Sequence, residues 1–433
     1  MENRNNYLIP FILVTSLFFL WGIANSLNGT LIKHFQTALD LSRGQAGIVD
    51  SAFYIGYFVM AIPAGIVMRR YGYKNGILVG LMFFSLGALL FYPAAEMRAY
   101  SFFLIALFVI ASGLAFLETA ANLYMTVLGD EKSASQRINF AQSFNGLSII
   151  FGPIIGSLFI FSNKEYSQEQ LAAMPLQESE LIRIAEAHSV QMPYLVVAGV
   201  VFLVAILFAL TKMPEIGKAD DLNEKNTEGS STFGDLLKNR HLMLGVIAQF
   251  CYVGAQASIW GFFVDFKLEF AKDSHIGIVN SLYQVTSEMT SKQIANYHAS
   301  AAFILFMVGR FFGTWLMRHI APEKVLAYFT IATIVLMGAT MLSGGLISVV
   351  CLMLVYFFMS IMFPTIFALA TRGFGNKEGK MASSLVIMAI VGGAILPPLT
   401  GFLFKSGVVA ALLVPLVCFA YILFYALRGY KIE

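Results

Sequence analysis

Long, uninterrupted apolar runs separated by short polar connections dominate the chain. A helix needs about 20 mostly apolar residues to cross a bilayer, and twelve segments reach roughly that length. The runs do not alternate between apolar and polar positions, as the strands of a membrane barrel would. We therefore predict an all-α membrane protein with twelve transmembrane helices. The predicted spans are 8–32, 47–68, 75–95, 101–128, 137–161, 193–212, 241–265, 298–317, 324–343, 347–371, 381–405 and 408–428.

A polar stretch between the sixth and seventh segments divides the chain into two halves. Residues 213–240 are charged and contain Ser and Gly, which is typical of a solvated tether. We predict an N-terminal six-helix bundle over residues 1–212, a cytoplasmic linker over 213–240, and a C-terminal six-helix bundle over 241–433.

The two halves echo each other in sequence. Gly65 near the end of the second segment and Gly313 near the end of the eighth, 248 residues later, are each followed by basic residues and a tight cytoplasmic turn. Pro153-Ile-Ile-Gly156 is echoed by Pro398-Leu-Thr-Gly401, 245 residues later. Small residues allow close helix packing, and prolines mark bends. Two pseudo-symmetric six-helix bundles are the architecture of the major facilitator fold. The candidate gating or structural residues are Arg69, Arg70, Pro153, Pro398 and Arg310, the last being the one basic residue inside a predicted helix.

Composition agrees with a membrane protein and narrows its class. The 433 residues are 58% hydrophobic and 12% charged, and the mean hydropathy is +0.74. Soluble domains carry roughly 25% charged residues. The three cysteines show no metal or disulfide spacing, and the histidines form no metal-ligand pair. Hydrolase, kinase and dinucleotide signatures are absent, so we predict neither an enzyme nor a cofactor, a bound metal or a nucleic-acid partner.

The distribution of basic residues predicts the orientation. With both termini in the cytoplasm, 18 Lys and Arg residues fall inside and 9 fall outside. This two-to-one bias follows the positive-inside rule. The apolar run at the start lacks a small-residue cleavage site soon after it, so we interpret the first helix as retained. We predict a multi-pass protein that works as a monomer.

One acid is out of place in this pattern. The stretch Gly113 to Gly129, GLAFLETAANLYMTVLG, puts Glu118 in mid-segment, with no other charge between Arg98 and Asp130. A charge at mid-bilayer costs at least about 2.5–3.5 kcal/mol, so an intramembrane acid is a functional candidate by default. Burial favours the neutral form of a carboxyl, which suits a group that loads and releases a proton. Glu118 is the predicted proton-coupling residue. The structural alternative is a protonated acid bonded to a neighbouring helix.

Polar side chains recur on single faces of several predicted helices. Sugars need paired donors and acceptors, and amides supply both. Spacings of three and four residues place such groups on one helix face. Each could instead make an interhelical hydrogen bond worth about 0.6–2 kcal/mol, but their clustering favours a shared substrate cavity. The predicted lining is Asn25, Asn28, Asn122, Gln142, Asn145, Tyr252, Gln256 and Trp260, with Gln249 on the same stripe.

Internal symmetry adds one residue to this set. The offset of 245 residues carries Glu118 to Phe363 in the tenth segment. The symmetry mate of the acid is therefore apolar, and the predicted site is asymmetric. We include Phe363 among the substrate-binding residues.

Several stretches resemble the fucose permease branch of the major facilitator superfamily, within the fucose–galactose–glucose proton symporters. They run through both halves and cover nearly the whole chain. The LETAAN and QFCYVGAQ stretches favour this branch over the glucose/galactose branch. The stretches are FFLWGIANSLN (18–28), SAFYIGYF (51–58), PAGIVM (63–68), LETAANLYMTVLG (117–129), RINFAQSFN (137–145), AQFCYVGAQ (248–256), GRFFGTWL (309–316) and FMSIMFPTIF (358–367).

The resemblance implies sugar uptake driven by a proton gradient across a bacterial inner membrane, with a role in proton coupling for Glu118. Some positions depart from the family. Gly29 replaces a second family acid at the end of the first segment, and Phe363 replaces an aromatic residue that carries a hydroxyl. Leu123 stands where the family commonly has Pro. Asp50, at a helix end, is an alternative proton carrier or a solvated acid.

The hypothesis from the sequence is a proton-coupled sugar importer that works by alternating access. L-fucose is the first substrate candidate, followed by galactose, glucose and N-acetylglucosamine. Gly29 suggests a second hypothesis, a facilitator that moves sugar without protons. A sensor that binds sugar without transporting it and a membrane enzyme are further alternatives. The short linker and tails disfavour the sensor, and the lack of a nucleophile–base set disfavours the enzyme.

Overall fold

The computed structural model describes residues 8–39, 43–155, 170, 173–214, 233–271, 276, 279, 281 and 291–432. Within these ranges, the side chains of residues 25, 27–38, 43–51, 149–155 and 292–293 lie outside the description. Part of the predicted linker, residues 215–232, also falls outside it.

The described residues of the N-terminal half are mostly helical. Each of its six predicted segments overlaps an observed helix, and one further helix lies in the long connection before the sixth segment. The helices are α1 (Leu8–Ala38), α2 (Arg43–Met97), α3 (Tyr100–Val127), α4 (Ala134–Ile155), α5 (Leu176–Ser189) and α6 (Gln191–Leu210).

The C-terminal half repeats this pattern with more interruptions. A short helix, α7, lies within the predicted linker, and two of the predicted segments are each built from two helices. The helices are α7 (Phe233–Lys238), α8 (Arg240–Ala271), α9 (Ser291–Leu316), α10 (Pro322–Ser343), α11 (Gly345–Met359), α12 (Met362–Ala370), α13 (Asn376–Met388), α14 (Gly392–Phe404) and α15 (Val408–Phe424).

Nine helices among the described residues are long and apolar enough to cross a membrane. One of them, Ala52–Met97, has 46 residues and covers most of the second predicted segment and all of the third. The two meet at Gly72, whose backbone is non-helical with φ 85°. Glycine adopts this left-handed region at no steric cost because it has no Cβ. The first segment lies in α1, of which Leu8–Ala24 is the apolar part whose side chains the structure describes.

The described residues form two compact units, which are not the two sequence halves. Unit 1 takes in Met1–Leu128, Phe144–Glu228 and Gly375–Met388. Unit 2 contains the remaining ranges, including Gly129–Ser143. Each unit therefore holds one segment from the other half. The predicted boundaries at residues 212 and 241 remain a prediction about the covalent order of the chain.

The segment of the C-terminal half that belongs to unit 1 is helix α13. The Ser383 hydroxyl donates to the carbonyl oxygen of Thr119 on α3 at 2.8 Å. The Tyr73 hydroxyl donates to Asn376 Oδ1 at 3.0 Å, and Lys380 Nζ lies 4.6 Å from the centroid of the Tyr73 ring. Polar bonds therefore fix α13 to the helices of the first half, and one of them is adjacent to Glu118.

The segment of the N-terminal half that belongs to unit 2 includes the first part of α4. Asn139 is fully buried there. Its Nδ2 atom donates to Thr365 Oγ1 on α12 at 3.0 Å and lies 3.6 Å from the Met317 sulfur. This amide joins the start of the fifth predicted segment to the tenth.

Helix α3 is the core of unit 1. Every residue from Ile110 to Met125 is buried, so the helix is surrounded by protein along its second half. A Cβ placed on Gly113 would lie 2.5 Å from the Phe84 backbone nitrogen and 2.6 Å from the Gly80 carbonyl oxygen. Only glycine permits this approach, which is the small-residue packing expected between membrane helices.

Candidate functional site

Glu118 lies in the buried part of α3, with 5% of its surface exposed. The hydroxyl of Tyr57 on α2 donates to Glu118 Oε1 at 2.7 Å, and Tyr57 is 1% exposed. A carboxyl and a phenol in such contact form a buried, hydrogen-bonded polar pair. Asn122, one helical turn after Glu118, is fully buried.

Packing of the neighbouring glycine brings Tyr57 to the acid. A Cβ on Gly56 would lie 2.7 Å from the Cβ of Ala111 on α3, so α2 and α3 nearly touch one residue before Tyr57. The Phe53 ring lies 5.4 Å from the Tyr57 ring and supports it one turn away. Tyr57 lies in the stretch SAFYIGYF (51–58), one of those that resemble the family, but the sequence did not predict it as a site residue.

Asn145 forms an interhelical bond in unit 1. Its Nδ2 atom donates to the backbone carbonyl oxygen of Phe18 on α1 at 3.2 Å. Gly22, one turn further along α1, leaves no room for a Cβ, which would lie 2.8 Å from the Asn145 side chain. This is the structural alternative weighed for each amide, and substrate binding by Asn145 remains a prediction. The side chains of Asn25, Asn28 and Gly29 lie outside the described residues.

In unit 2, the predicted residues of α8 lie along one stripe. Gln256 Nε2 donates to the Tyr252 hydroxyl at 2.9 Å. The Tyr252 ring is fully buried and meets the Phe363 ring edge-on, with centroids 6.3 Å apart. Gln249 is fully buried one turn earlier, and among the described residues neither of its amide atoms has a hydrogen-bond partner. The stripe therefore combines a hydrogen-bonded pair with a buried amide that has no partner among the described residues.

Trp260 extends this stripe into an aromatic cluster. Its ring lies 4.9 Å from Phe303 and 5.3 Å from Phe306, edge to face in both cases, and 6.2 Å from Tyr356. The Trp260 indole N–H and the buried Tyr356 hydroxyl have no hydrogen-bond partner in the part of the chain that the structure describes. Aromatic faces with nearby unpaired donors are the groups that stack on and hydrogen-bond to a sugar ring.

Arg310 on α9 is buried, with 3% of its surface exposed. Its Nε atom donates to the carbonyl oxygen of Ser360 at 2.8 Å, and its Nη1 atom donates to the carbonyl oxygen of Gln142 at 2.6 Å. Its guanidinium carbon lies 4.6 Å from the centroid of the Phe306 ring. Gln142 therefore reaches this site through its backbone, and its side chain is also buried.

The remaining predicted gating residues lie apart from these groups. Arg69 and Arg70 are exposed, and Arg70 lies over the Tyr71 ring at 5.3 Å. Pro398 is exposed on α14, and the side chain of Pro153 is outside the described residues. Among the residues described, no three His, Cys, Asp or Glu side chains are placed to hold a metal ion.

The fold and sequence match known membrane transporters. The family model described as Major Facilitator Superfamily matches residues 13–398. The L-fucose-proton symporter of Escherichia coli (strain K12) is 40% identical over 97% of this chain and 93% of its own length. A putative glucose/galactose transporter of Helicobacter pylori is 38% identical over 97% of this chain and 96% of its own.

A crystal structure gives the same answer for the fold. The Major Facilitator Superfamily transporter FucP, in the outward conformation, aligns with a TM-score of 0.84 and 39% identity over 98% of this chain and 99% of its own. These matches confirm the predicted twelve-helix fold and the predicted family resemblance. The chain is a multi-pass membrane protein that belongs to the Major Facilitator Superfamily, in the family of the L-fucose–proton symporters and glucose/galactose transporters.

Proposed function

We propose that the protein imports a sugar together with a proton by alternating access, and that L-fucose is the substrate. The observation that carries the proposal is the buried pair of Glu118 and Tyr57. An acid kept inside a membrane helix is costly, and such acids mark proton relays in transporters. A carboxyl held by one neutral hydroxyl can gain or lose its proton with little rearrangement around it.

The sugar would be bound by the polar and aromatic groups described above. In unit 2 these are Tyr252, Gln256, Trp260 and Phe363, where hydroxyl, amide and ring faces lie along one stripe. We assign Asn122, Gln142 and Asn145 to the same role, together with Asn25 and Asn28. Transporters of this fold bind near the bilayer midplane and rock one half against the other. The protein would work as a monomer, with both termini in the cytoplasm of a bacterial inner membrane.

Uptake of labelled L-fucose into proteoliposomes tests the proposal. We expect accumulation above the external concentration only when the outside is more acidic than the inside. The Glu118→Gln variant should lose this accumulation and keep counterflow, because Gln fills the same space without titrating. Glu269→Gln is the matched control, since Glu269 is an exposed acid on α8. Uptake that does not depend on the pH gradient in either wild type or Glu118→Gln would contradict proton coupling.

Gly29 favours a second candidate, sugar facilitation without protons. The family acid expected at this position is absent. In that case, wild-type protein equilibrates sugar at the same rate at every pH gradient and never accumulates it. Binding of sugar without counterflow would instead identify a sensor. A competition panel of L-fucose, galactose, glucose and N-acetylglucosamine against labelled substrate would identify the sugar.

A further inference from the structure

The tenth predicted segment is broken in its middle, and proline leaves a buried carbonyl there without a helical partner. Helix α11 ends at Met359 and α12 begins at Met362. In a continuous helix the Ser360 carbonyl would accept from the N–H of residue 364. That residue is Pro364, which has no N–H. Ser360 is fully buried, and a buried backbone carbonyl must find another donor.

Arg310 supplies that donor from the neighbouring helix. Its Nε–H points at the Ser360 carbonyl at 2.8 Å. The Ser360 hydroxyl does not fill this role, because it donates to the carbonyl oxygen of Phe357. Bonds from a charged donor are roughly twice as strong as bonds between neutral groups. The side chain of α9 thus replaces the missing helical bond of Ser360.

The same guanidinium holds a second helix. Its Nη1–H donates to the carbonyl of Gln142 on α4 at 2.6 Å, while its face covers Phe306. Among the described residues, no carboxylate forms an ion pair with Arg310. In the described part of the chain its contacts are to two backbone carbonyl oxygens and one aromatic ring, so the group fixes backbone positions.

The two elements that Arg310 joins both carry proposed sugar contacts. Phe363 precedes Pro364 directly and packs edge-on against Tyr252. Gln142 carries the other carbonyl. The Asn139 to Thr365 bond at 3.0 Å connects the same two helices one turn away. The position of Phe363 relative to Gln142 therefore depends on this set of bonds.

We propose that Arg310 is a positioning residue of the sugar site: it closes the helix break at Ser360 and sets Phe363 against Gln142 without contacting the sugar. The part concerning sugar rests on the function proposed above, whereas the part concerning the helix break does not. This makes the two separable by experiment.

A double-variant cycle tests the break. Arg310→Gln replaces the charged Nε–H donor to Ser360 by a shorter, neutral amide, and Pro364→Ala restores an N–H at residue 364. We expect Arg310→Gln to lower the unfolding temperature in detergent by several degrees. In the Pro364→Ala background, Arg310→Gln should lower the temperature by less, because Ser360 regains a helical partner and only the Gln142 carbonyl loses its donor. Simply additive shifts of the unfolding temperature would overturn the proposal. Arg318→Gln, at an exposed arginine just beyond α9, is the control.

Sugar counterflow tests the positioning role. In Arg310→Lys, which keeps the charge and loses the two-pronged geometry, we expect KM for sugar to rise about tenfold, equivalent to 1.4 kcal/mol. The increase should be equal for L-fucose and for analogues that each lack one hydroxyl. An increase that vanishes for one deoxy analogue would mean direct contact with that hydroxyl and would overturn the proposal. If wild-type protein moves no sugar, the temperature cycle still decides the role of Arg310 at Ser360.

Discussion

Glu118 and Arg310 are both ionisable groups buried inside membrane helices, and the protein holds them in opposite ways. In unit 1, a single neutral hydroxyl from Tyr57 bonds to the carboxyl. In unit 2, two backbone carbonyls and an aromatic face surround the guanidinium. A carboxyl can lose or gain a proton, whereas an arginine stays charged in proteins. The comparison supports the proton-coupling role proposed for Glu118 and the positioning role proposed for Arg310.

Replacing each of the two groups by an amide should give the largest contrast. Glu118→Gln should abolish gradient-driven accumulation, which for a one-to-one symporter reaches at most about tenfold per pH unit. It should leave the unfolding temperature near that of wild type, since an amide can still pair with Tyr57. Arg310→Gln should lower the unfolding temperature and leave the dependence on the gradient intact, because buried bonds to a charged group are worth about 1.5–3 kcal/mol each. Uptake assays and thermal unfolding in detergent measure the two effects.

The opposite outcome would reverse the assignment. If Arg310→Gln removed gradient dependence with little loss of stability, the proton-coupled group would lie in unit 2. A loss of folding in Glu118→Gln would point to the structural alternative, in which the acid holds α2 and α3 together.

The sequence analysis identified Glu118 and Arg310 as candidates, but it did not identify their partners Tyr57 and Ser360. Glu118 and Arg310 stand out because a charge in an apolar run is a local signal. Tyr57 does not, since it is one of 18 tyrosines and its hydroxyl is directed by the contact of Gly56 with Ala111. The partner of Arg310 did have a signal. A proline four residues after Ser360 marks an unpaired carbonyl, and a buried cation nearby is a donor for it.

The sequence did not predict that α13 belongs to unit 1 or that the first part of α4 belongs to unit 2. The bond from Ser383 to the Thr119 carbonyl joins residues 264 positions apart, and no local pattern encodes such a pairing. The repeat, by contrast, was readable from two offsets of nearly equal length. Periodicity and composition therefore fix the helices and their number, while side-chain partners depend on packing that only the folded chain reveals.

Tyr57→Phe asks how much the neutral partner contributes to the Glu118 environment. Removing the hydroxyl leaves a buried carboxyl without this donor, at a cost of about 1–3 kcal/mol. We expect the maximal rate of gradient-driven uptake to fall by roughly tenfold, a change of about 1.4 kcal/mol in free energy. Dependence on the gradient should persist, since the acid remains. Tyr92→Phe, at an exposed tyrosine of the same helix, is the control. Complete loss of gradient dependence would make Tyr57 part of the proton path itself.

Trp260→Phe tests whether the aromatic cluster of unit 2 serves the sugar or only the fold. Aromatic pairs contribute about 0.5–1.5 kcal/mol beyond burial. We expect KM in counterflow to rise about fivefold, near 1 kcal/mol, with a smaller change in unfolding temperature. Trp315 is exposed and serves as the control position. The chain has only 3 tryptophans, so a sugar-dependent change in fluorescence that disappears in Trp260→Phe can be attributed to Trp260. An unchanged KM would limit the cluster to packing.

Thr400→Val should give the smallest effect and provides the scale for the others. The Thr400 hydroxyl on α14 lies 2.9 Å from the Ser258 hydroxyl on α8, a bond between two neutral groups within unit 2. Interhelical hydrogen bonds of this kind average about 0.6 kcal/mol in membrane proteins. Valine keeps the shape, so we expect a fall in unfolding temperature much smaller than that of Arg310→Gln, with KM and gradient dependence unchanged. If the two variants lowered the unfolding temperature equally, Arg310 would be no more than another interhelical bond, and its contrast with Glu118 would lie in charge alone.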